Sequence, residues 1–265
     1  PRLSCLQNGM KLKISTFAPL QILKSYVKQK PLKSIRRFTL TNKVKLPGLP
    51  IGSLIFLLQR RFTSLESKPK LLIATGNPGK LKEFTLLLPE FEVVSQKSYG
   101  IIAEEETGET FFENSLHKAR FASKSSGFSA LGDDSGLIVP ALNNMPGLHS
   151  ARYAKIDASD AENRDHLKNE LIKINLQEAK AFFVCVLVMV NDPADPFPLM
   201  ATGMLAGTVR TDLKGENGFG YDPMFYPEGY DLSLAEISNQ EKAQLSHRGQ
   251  AAKILKNKIK NFVAK

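Results

Sequence analysis

Four short stretches of this 265-residue chain carry side chains whose types and spacing could do chemistry. The first is Thr75-Gly76-Asn77-Pro78-Gly79-Lys80. Its glycines let the backbone approach a ligand closely, Asn77 is a good helix N-cap and Pro78 suits the first helical position. A helix start is electropositive and Lys80 adds a full charge, so a polyphosphate is a suitable guest. This is not a Walker A loop, because only two residues separate Gly76 from Gly79 and Leu81 stands where Ser or Thr is needed. An ordinary capped turn uses the same residues. The second stretch is Asp133-Asp134, set between Gly132 and Ser135-Gly136. It reads as a polar loop between two short strands, 129–131 and 137–139. Two carboxylates that close bind a cation or share a proton. Oxygen-only ligands favour Mg²⁺, which takes one or two carboxylates plus substrate phosphates. A tight Asp/Gly hairpin turn is the alternative. Glu104-Glu105-Glu106 could supply a further oxygen ligand, or be a solvated acidic triplet.

The third stretch is Gly218-Phe219-Gly220-Tyr221-Asp222-Pro223. Its aromatics could stack on a planar base, at about 1–3 kcal/mol per base, while Asp222 accepts from the base edge. A rigid loop that packs its aromatics into the core fits equally well. The fourth, Ser246-His247-Arg248-Gly249, precedes the terminal helix. It could bind phosphate or a base carbonyl, or be a solvated pair. His117, His149 and His166 lack metal-ligand spacing and read as structural or exposed. No G-x-S-x-G elbow is present, and Cys185 lies too deep in an apolar run to be a nucleophile.

The elements that must position these groups follow from local pattern. Residues 70–75 form a short apolar strand, and Leu81, Phe84 and Leu88 then recur at helical spacing. Thr110 to Glu113 and Ser159 to Glu162 are capping boxes opening two further helices; Leu167, Leu171 and Ile172 mark the core side of the second. The runs 182–190 and 199–209 flank a Pro/Asp-rich turn and predict an antiparallel hairpin. Ala251, Leu255, Ile259 and Phe262 line one side of a last helix. Mixed helices and strands with at least one antiparallel pair predict an α/β or α+β fold.

Charge divides the chain unevenly. The total is 36 Lys+Arg against 26 Asp+Glu, a net of +10. Residues 1–65 hold thirteen of the basic side chains and none of the acidic ones, so the remainder is mildly acidic at −3. A basic pI therefore describes the first 65 residues, and does not make the whole chain a nucleic-acid binder. That acid-free arm has the composition of a transit peptide, or is a non-native or removed extension, and it is set aside from the fold. Cys5 and Cys185 are the only cysteines, which excludes a disulfide framework and favours a reducing compartment. The longest apolar stretch after the arm, 181–190, is too short to cross a bilayer.

The order of the motifs is more specific than any one of them. TGNPGK, EETG, TFFENSLHKAR, DDSG, PGLHSARYA, GFGYDP and EKAQLSHRG follow one another across residues 70–263. This series resembles the inosine/xanthosine triphosphate pyrophosphatase family, closest to its bacterial branch. The resemblance implies an α/β protein with an elongated mixed sheet flanked by helices, two lobes with a cleft between them, and a homodimer. It implies Mg²⁺-dependent cleavage of ITP, dITP or XTP at the α–β phosphoanhydride bond, clearing deaminated purines from the nucleotide pool, in the cytoplasm or, if the arm is a transit peptide, in an organelle. It implies no stable nucleic-acid partner and no membrane.

Carried over by position, the resemblance assigns residues 75–80 and Lys118 to the triphosphate and Asp134 to catalysis, with Ser135 touching substrate. It assigns Glu105 and Asp134 to the metal, Glu106 being one place away. Phe219, Gly220, Tyr221 and Asp222 are assigned to the base pocket, and Lys242, His247 and Arg248 to the purine 6-oxo edge. Two rivals stand beside it: a pyrophosphatase for other modified nucleotides, and a nucleic-acid module built on the basic arm with an inactive enzyme domain.

Overall fold

The structure, a computed structural model, describes residues 68–263; the arm 1–65, with every expectation placed on it, and the side chain of Phe262 lie outside the described residues. Strands run over Lys70–Ala74 (β1), Glu92–Ser95 (β2), Ala130–Ile138 (β3), Glu178–Val190 (β4), Leu199–Arg210 (β5) and Phe225–Pro227 (β6). They form one mixed sheet in the order β2-β1-β3-β4-β5-β6. β1 is parallel to β2 and β3, and every other pairing is antiparallel. Helices cover Pro78–Leu87 (α1), Phe111–Ser126 (α2), Asp160–Lys173 (α3), Asn239–Leu245 (α4) and His247–Val263 (α5). This is the α/β architecture expected, a mixed sheet flanked by helices. Among the described residues no helix is long and apolar enough to cross a membrane.

The helix starts follow their local signals. Asn77 Oδ1 accepts from Gly79 N at 2.8 Å and Lys80 N at 3.1 Å, with Pro78 opening α1. Thr110–Glu113 and Ser159–Glu162 are reciprocal capping boxes at the starts of α2 and α3, each satisfying two otherwise orphaned donors. The hairpin of β4 and β5 pairs from Glu178↔Arg210 to Met189↔Leu199.

Helices pack on both sides of the sheet. On one, Leu71, Ile73, Leu131, Cys185 and Leu187 bury against Phe84 of α1 and Ala251 and Leu255 of α5. On the other, Leu72, Ala130 and Val188 bury against Ala119 and Ala122 of α2. Leu167 and Leu171 of α3 join Leu137, Phe183, Leu205 and Phe225 in a further cluster. Ile172, expected on the core side of α3, is 43% exposed instead.

The stretch 132–136 departs from its sequence reading. It is neither a loop nor a hairpin turn: β3 runs unbroken through it, pairing with β4 from Ala130↔Val190 to Ile138↔Phe182. Its glycines mark close approach rather than chain reversal. A Cβ on Gly132 would lie 1.9 Å from the Ser115 carbonyl oxygen of α2, and one on Gly136 would lie 2.4 Å from the Gly147 carbonyl oxygen. The start of α5 is a second correction, since His247 and Arg248 open this helix instead of preceding it.

Candidate active site

Because side chains alternate along a strand, Asp133 and Asp134 leave β3 on opposite sides. They do not share a cation as neighbours in a loop would.

Asp133 points toward α1 and α5. Its Oδ2 accepts from Arg248 Nε at 2.6 Å, and its Oδ1 accepts from the Ser135 hydroxyl at 2.8 Å and from Lys80 Nζ at 3.3 Å. Burial alone would raise this carboxyl; Arg248 and then Lys80 overcome it and hold Asp133 well below the usual carboxylate range. Arg248 is itself buried, with Nη1 donating to Glu83 Oε2 at 2.5 Å and Nη2 to Ser135 Oγ at 2.8 Å. Glu83 also meets Lys242 Nζ at 2.7 Å, and Lys242 reaches Asp222 Oδ2 at 2.6 Å. Burial works against the Lys242 ammonium, but Asp222 and Glu83 outweigh it and raise its pKa. One charge network thus joins the 75–80 loop and α1, β3, the 218–223 loop and the start of α5.

Asp134 points toward α2. Lys118 Nζ donates to its Oδ1 at 2.7 Å, and Asn114 Nδ2 to its Oδ2 at 3.3 Å. Here burial wins over Lys118, and neighbouring Glu106 adds to it, so the Asp134 carboxyl is raised. The same Lys118 ammonium pairs with Glu106, whose Oε2 also accepts from Arg152 Nη1 at 2.7 Å. Burial tends to raise Glu106, but Lys118 and Arg152 bring it below its ordinary value. Glu105 is exposed and makes no ion pair among the described residues. The geometry therefore places Glu106, not Glu105, beside Asp134. Glu104 lines the same cavity as Glu106 and meets His117 Nε2 at 3.2 Å, while Glu106 is the member of the triplet that meets Lys118 and Arg152.

A cavity of about 230 Å³ opens here, lined by Thr75, Asn77, Lys80, Glu106 and Lys118 among others. Glu106 and Asp133 line it together with two lysines and the loop of residues 75–80, and Asp134 is joined to it through Lys118, the ammonium it shares with Glu106. Asp134 and Glu106 fit the donor set that Mg²⁺ takes, one or two carboxylates completed by phosphate and water oxygens. Among the described residues no group of three or more His, Cys, Asp or Glu could hold a metal. The loop amides contribute less than the sequence implied, since Asn77 Oδ1 already takes those of Gly79 and Lys80. Attraction for an anion rests on the lysines.

The residues assigned to a base gather on the Asp133 side and do not line this cavity. Phe219 rests on the 75–80 loop, where a Cβ on Gly79 would lie 2.5 Å from its Cδ1. Lys242 Nζ lies 4.6 Å from the centre of the Phe219 ring. Tyr221 goes into the core, its hydroxyl donating to the Ser150 carbonyl at 2.8 Å. Gly220 is fixed at both backbone groups, by Asp160 and Arg164. His247 is buried against the Phe183 ring rather than solvated, with Nδ1 unpartnered. Burial, helped by Arg248, keeps its pKa well below the ordinary value. His117 and His149 are exposed, and His166 stands edge-on to Tyr153.

Sequence reasoning missed Glu83, Asn114, Arg152 and Arg164. Glu83 had a signal: it lies three residues after Lys80 on the same helical side. Arg152 stands inside the PGLHSARYA motif without a local cue to its partner.

Comparison with known proteins bears on the whole arrangement. The model of the Ham1 family matches residues 71–258. The dITP/XTP pyrophosphatase of Haemophilus influenzae is 47% identical over 194 residues, covering 72% of this chain and all of the relative. That of Yersinia pseudotuberculosis is 44% identical, covering 72% of this chain and 98% of the relative. Among solved structures, a HAM1 protein from Coxiella burnetii superposes with a TM-score of 0.66 at 39% identity, covering 73% of this chain and 99% of that one. The Staphylococcus aureus Ham1 protein gives 0.63 at 37% identity, covering 72% and 98%.

Proposed function

The chain belongs to the Ham1 family, and on that premise we propose that residues 66–265 form a nucleoside triphosphate pyrophosphatase. In this reading it converts dITP, ITP and XTP to the monophosphate and pyrophosphate, and so keeps deaminated purines out of nucleic acids. The observation that carries it is the convergence of Asp134 and Glu106 on one ammonium beside the phosphate loop.

The triphosphate would lie along residues 75–80, with Lys80 and Lys118 against its oxygens and Ser135 beside it. Asp134 and Glu106 would hold Mg²⁺, replacing the pair Asp134 and Glu105. When bound, that ion supplies positive charge to the phosphate oxygens. Asp134 takes the proton of a water directed at the α-phosphorus, as a carboxylate held beside the phosphates can. The lysines stabilise charge on the departing pyrophosphate.

The base would sit by Phe219 and Gly220 within a cleft between two lobes, with Tyr221 and Asp222 holding the loop in shape. A 6-oxo purine presents an acceptor where adenine presents an amino donor. Three of the five Arg248 N–H groups are committed to Asp133, Glu83 and Ser135. The remaining two, together with Lys242 and His247, favour the acceptor. A homodimer belongs to the same reading; the half-open apolar face carrying Val184, Val186, Met200 and Met204 supports it. The cytoplasm is its proposed place, or an organelle if the arm directs it there.

The test is pyrophosphate release with Mg²⁺ from dITP, XTP, dATP, dUTP and dTTP. The expected result is dITP and XTP turning over at least about a hundredfold faster than dATP in kcat/KM. Preference for dUTP or dTTP would move the enzyme to another modified-nucleotide class, and release of orthophosphate would overturn the bond assignment.

A further inference from the structure

Glu106 is held from two sides. Lys118 lines the phosphate cavity; Arg152 belongs to a separate scaffold. Arg152 ends the 3-10 turn Gly147–Arg152, which is pinned to three neighbours through the Ser150 hydroxyl and two backbone carbonyls. Ser150 Oγ accepts from Leu137 N of β3 at 2.9 Å. Asn163 of α3 spans the turn's exit, with Nδ2 donating to the Ala151 carbonyl at 3.1 Å and Oδ1 accepting from Ala154 N at 3.0 Å. Tyr221 donates its hydroxyl to the Ser150 carbonyl at 2.8 Å. The same side of α3 fastens the base loop, since Asp160 Oδ2 accepts from Gly220 N and Arg164 Nη1 donates to the Gly220 carbonyl, both at 2.7 Å. Residues 160, 163 and 164 share that side by helical spacing. The segment that carries Arg152 and the loop that carries Phe219 to Asp222 are thus tied to each other and to the first turn of α3.

We propose that Arg152 is a positioning residue for Glu106, and that Tyr221 fixes Arg152 from the base loop, so one scaffold both seats the base and aligns the metal-binding carboxylate. The proposal rests on the pyrophosphatase reading. Arg152 holds Oε2 of Glu106 and leaves Oε1 turned to Lys118 and the cavity. The guanidinium is planar and fully charged, so it orients a carboxylate more firmly than an ammonium does. A ligand aligned beforehand needs no reordering when a cation arrives. Hydrogen-bond partners of metal ligands typically change metal affinity or activity by about 10- to 100-fold.

The test uses Arg152→Met, Arg152→Lys and Tyr221→Phe in the full chain. The first readout needs no nucleotide: Mg²⁺ titration followed by thermal shift, since a ligand that binds the folded state raises Tm. Arg152→Met should move the Mg²⁺ midpoint upward by about tenfold or more and lower kcat for dITP by a similar factor, with KM within about threefold. Arg152→Lys should recover part of both, and Tyr221→Phe should move the midpoint the same way by less. An unchanged midpoint in a folded Arg152→Met protein overturns the assignment. So does a raised KM with an unchanged midpoint, which makes Arg152 a phosphate contact. An unchanged midpoint in Tyr221→Phe overturns the tie to the base loop. Should Arg152→Met fail to fold, Arg152→Lys and Arg152→Gln carry the same titration. If the wild-type chain releases no pyrophosphate from dITP, the functional reading falls, while the metal midpoints still judge Arg152.

Discussion

On one side of β3, Asp133 receives Arg248 at 2.6 Å, Lys80 at 3.3 Å and the Ser135 hydroxyl at 2.8 Å. On the other, Asp134 has Lys118 at 2.7 Å and Asn114 at 3.3 Å, and must share that lysine with Glu106. Both carboxylates are buried, so both bear a desolvation cost. The contact and sharing of cations decide the outcome: Arg248 and Lys80 overcome it for Asp133, whereas Lys118, shared with Glu106, and the weaker pull of Lys80 do not for Asp134. Burial does not by itself separate a structural aspartate from a reactive one. The surplus or deficit of nearby positive charge does. Asp133 is locked as an anion that anchors Arg248, while Asp134 keeps a basicity that a reaction can use.

Three measurements press on this contrast. The largest effect is expected from Asp134→Asn, which should lower kcat for dITP by roughly 10²- to 10⁴-fold while leaving Tm nearly unchanged, because the charge it removes was disfavoured by burial. A Tm loss as large as that of the Asp133 variant would break the contrast. Asp133→Asn should act on stability instead. It takes one of two carboxylates from the buried Arg248 guanidinium and leaves Glu83, at about 1–3 kcal/mol, or on the order of 5 °C in Tm for a domain of this size. Calorimetry reads the loss, and kcat per folded molecule should fall far less than in Asp134→Asn.

The smallest effect concerns pH. Asp133 is depressed in the folded state, so its stabilisation is complete above the unfolded aspartate value of about 3.9 and is lost as pH falls toward its folded value. Asp134 is raised in the metal-free protein, so the ionised form that Mg²⁺ would meet is lost as pH falls through a value above that of a free aspartate. The Mg²⁺ midpoint of the nucleotide-free protein should therefore weaken, as pH falls, at higher pH than the acid fall in Tm. Coincident transitions would show that the two carboxylates are not separated in this way.

Local signals carried the sequence reading a long way. Asn77, Thr110 with Glu113, and Ser159 with Glu162 cap their helices as their spacing implies, because a cap is decided within four residues. Asp134 is singled out by the motif order. Its environment is not, since Lys118 and Glu106 arrive from a helix and a loop elsewhere in the chain. The stretch 132–136 was misread because Gly, Asp and Ser favour turns. The reason for Gly132 is the backbone of α2 at Ser115, which no neighbouring residue announces. Glu105 and Glu106 differ by one place, and only the positions of Arg152 and Lys118 separate them. Arg248 reads as a solvated or ligand-binding arginine until its partners, Glu83 and Asp133, are brought from 165 and 115 residues away.

The unbroken course of β3 also constrains how the chain can fold. Sliding β3 by one residue against its neighbours would turn every side chain to the other face. Asp133 would then leave Arg248, and a residue bearing a Cβ would arrive where Gly132 gives the Ser115 carbonyl room. Such a slipped chain would leave the buried guanidinium with Glu83 alone and would set a side chain against the backbone of α2. The residues that would perform the chemistry therefore also proofread strand alignment: a misregistered sheet fails to close, so inactive but compact copies are selected against during folding itself.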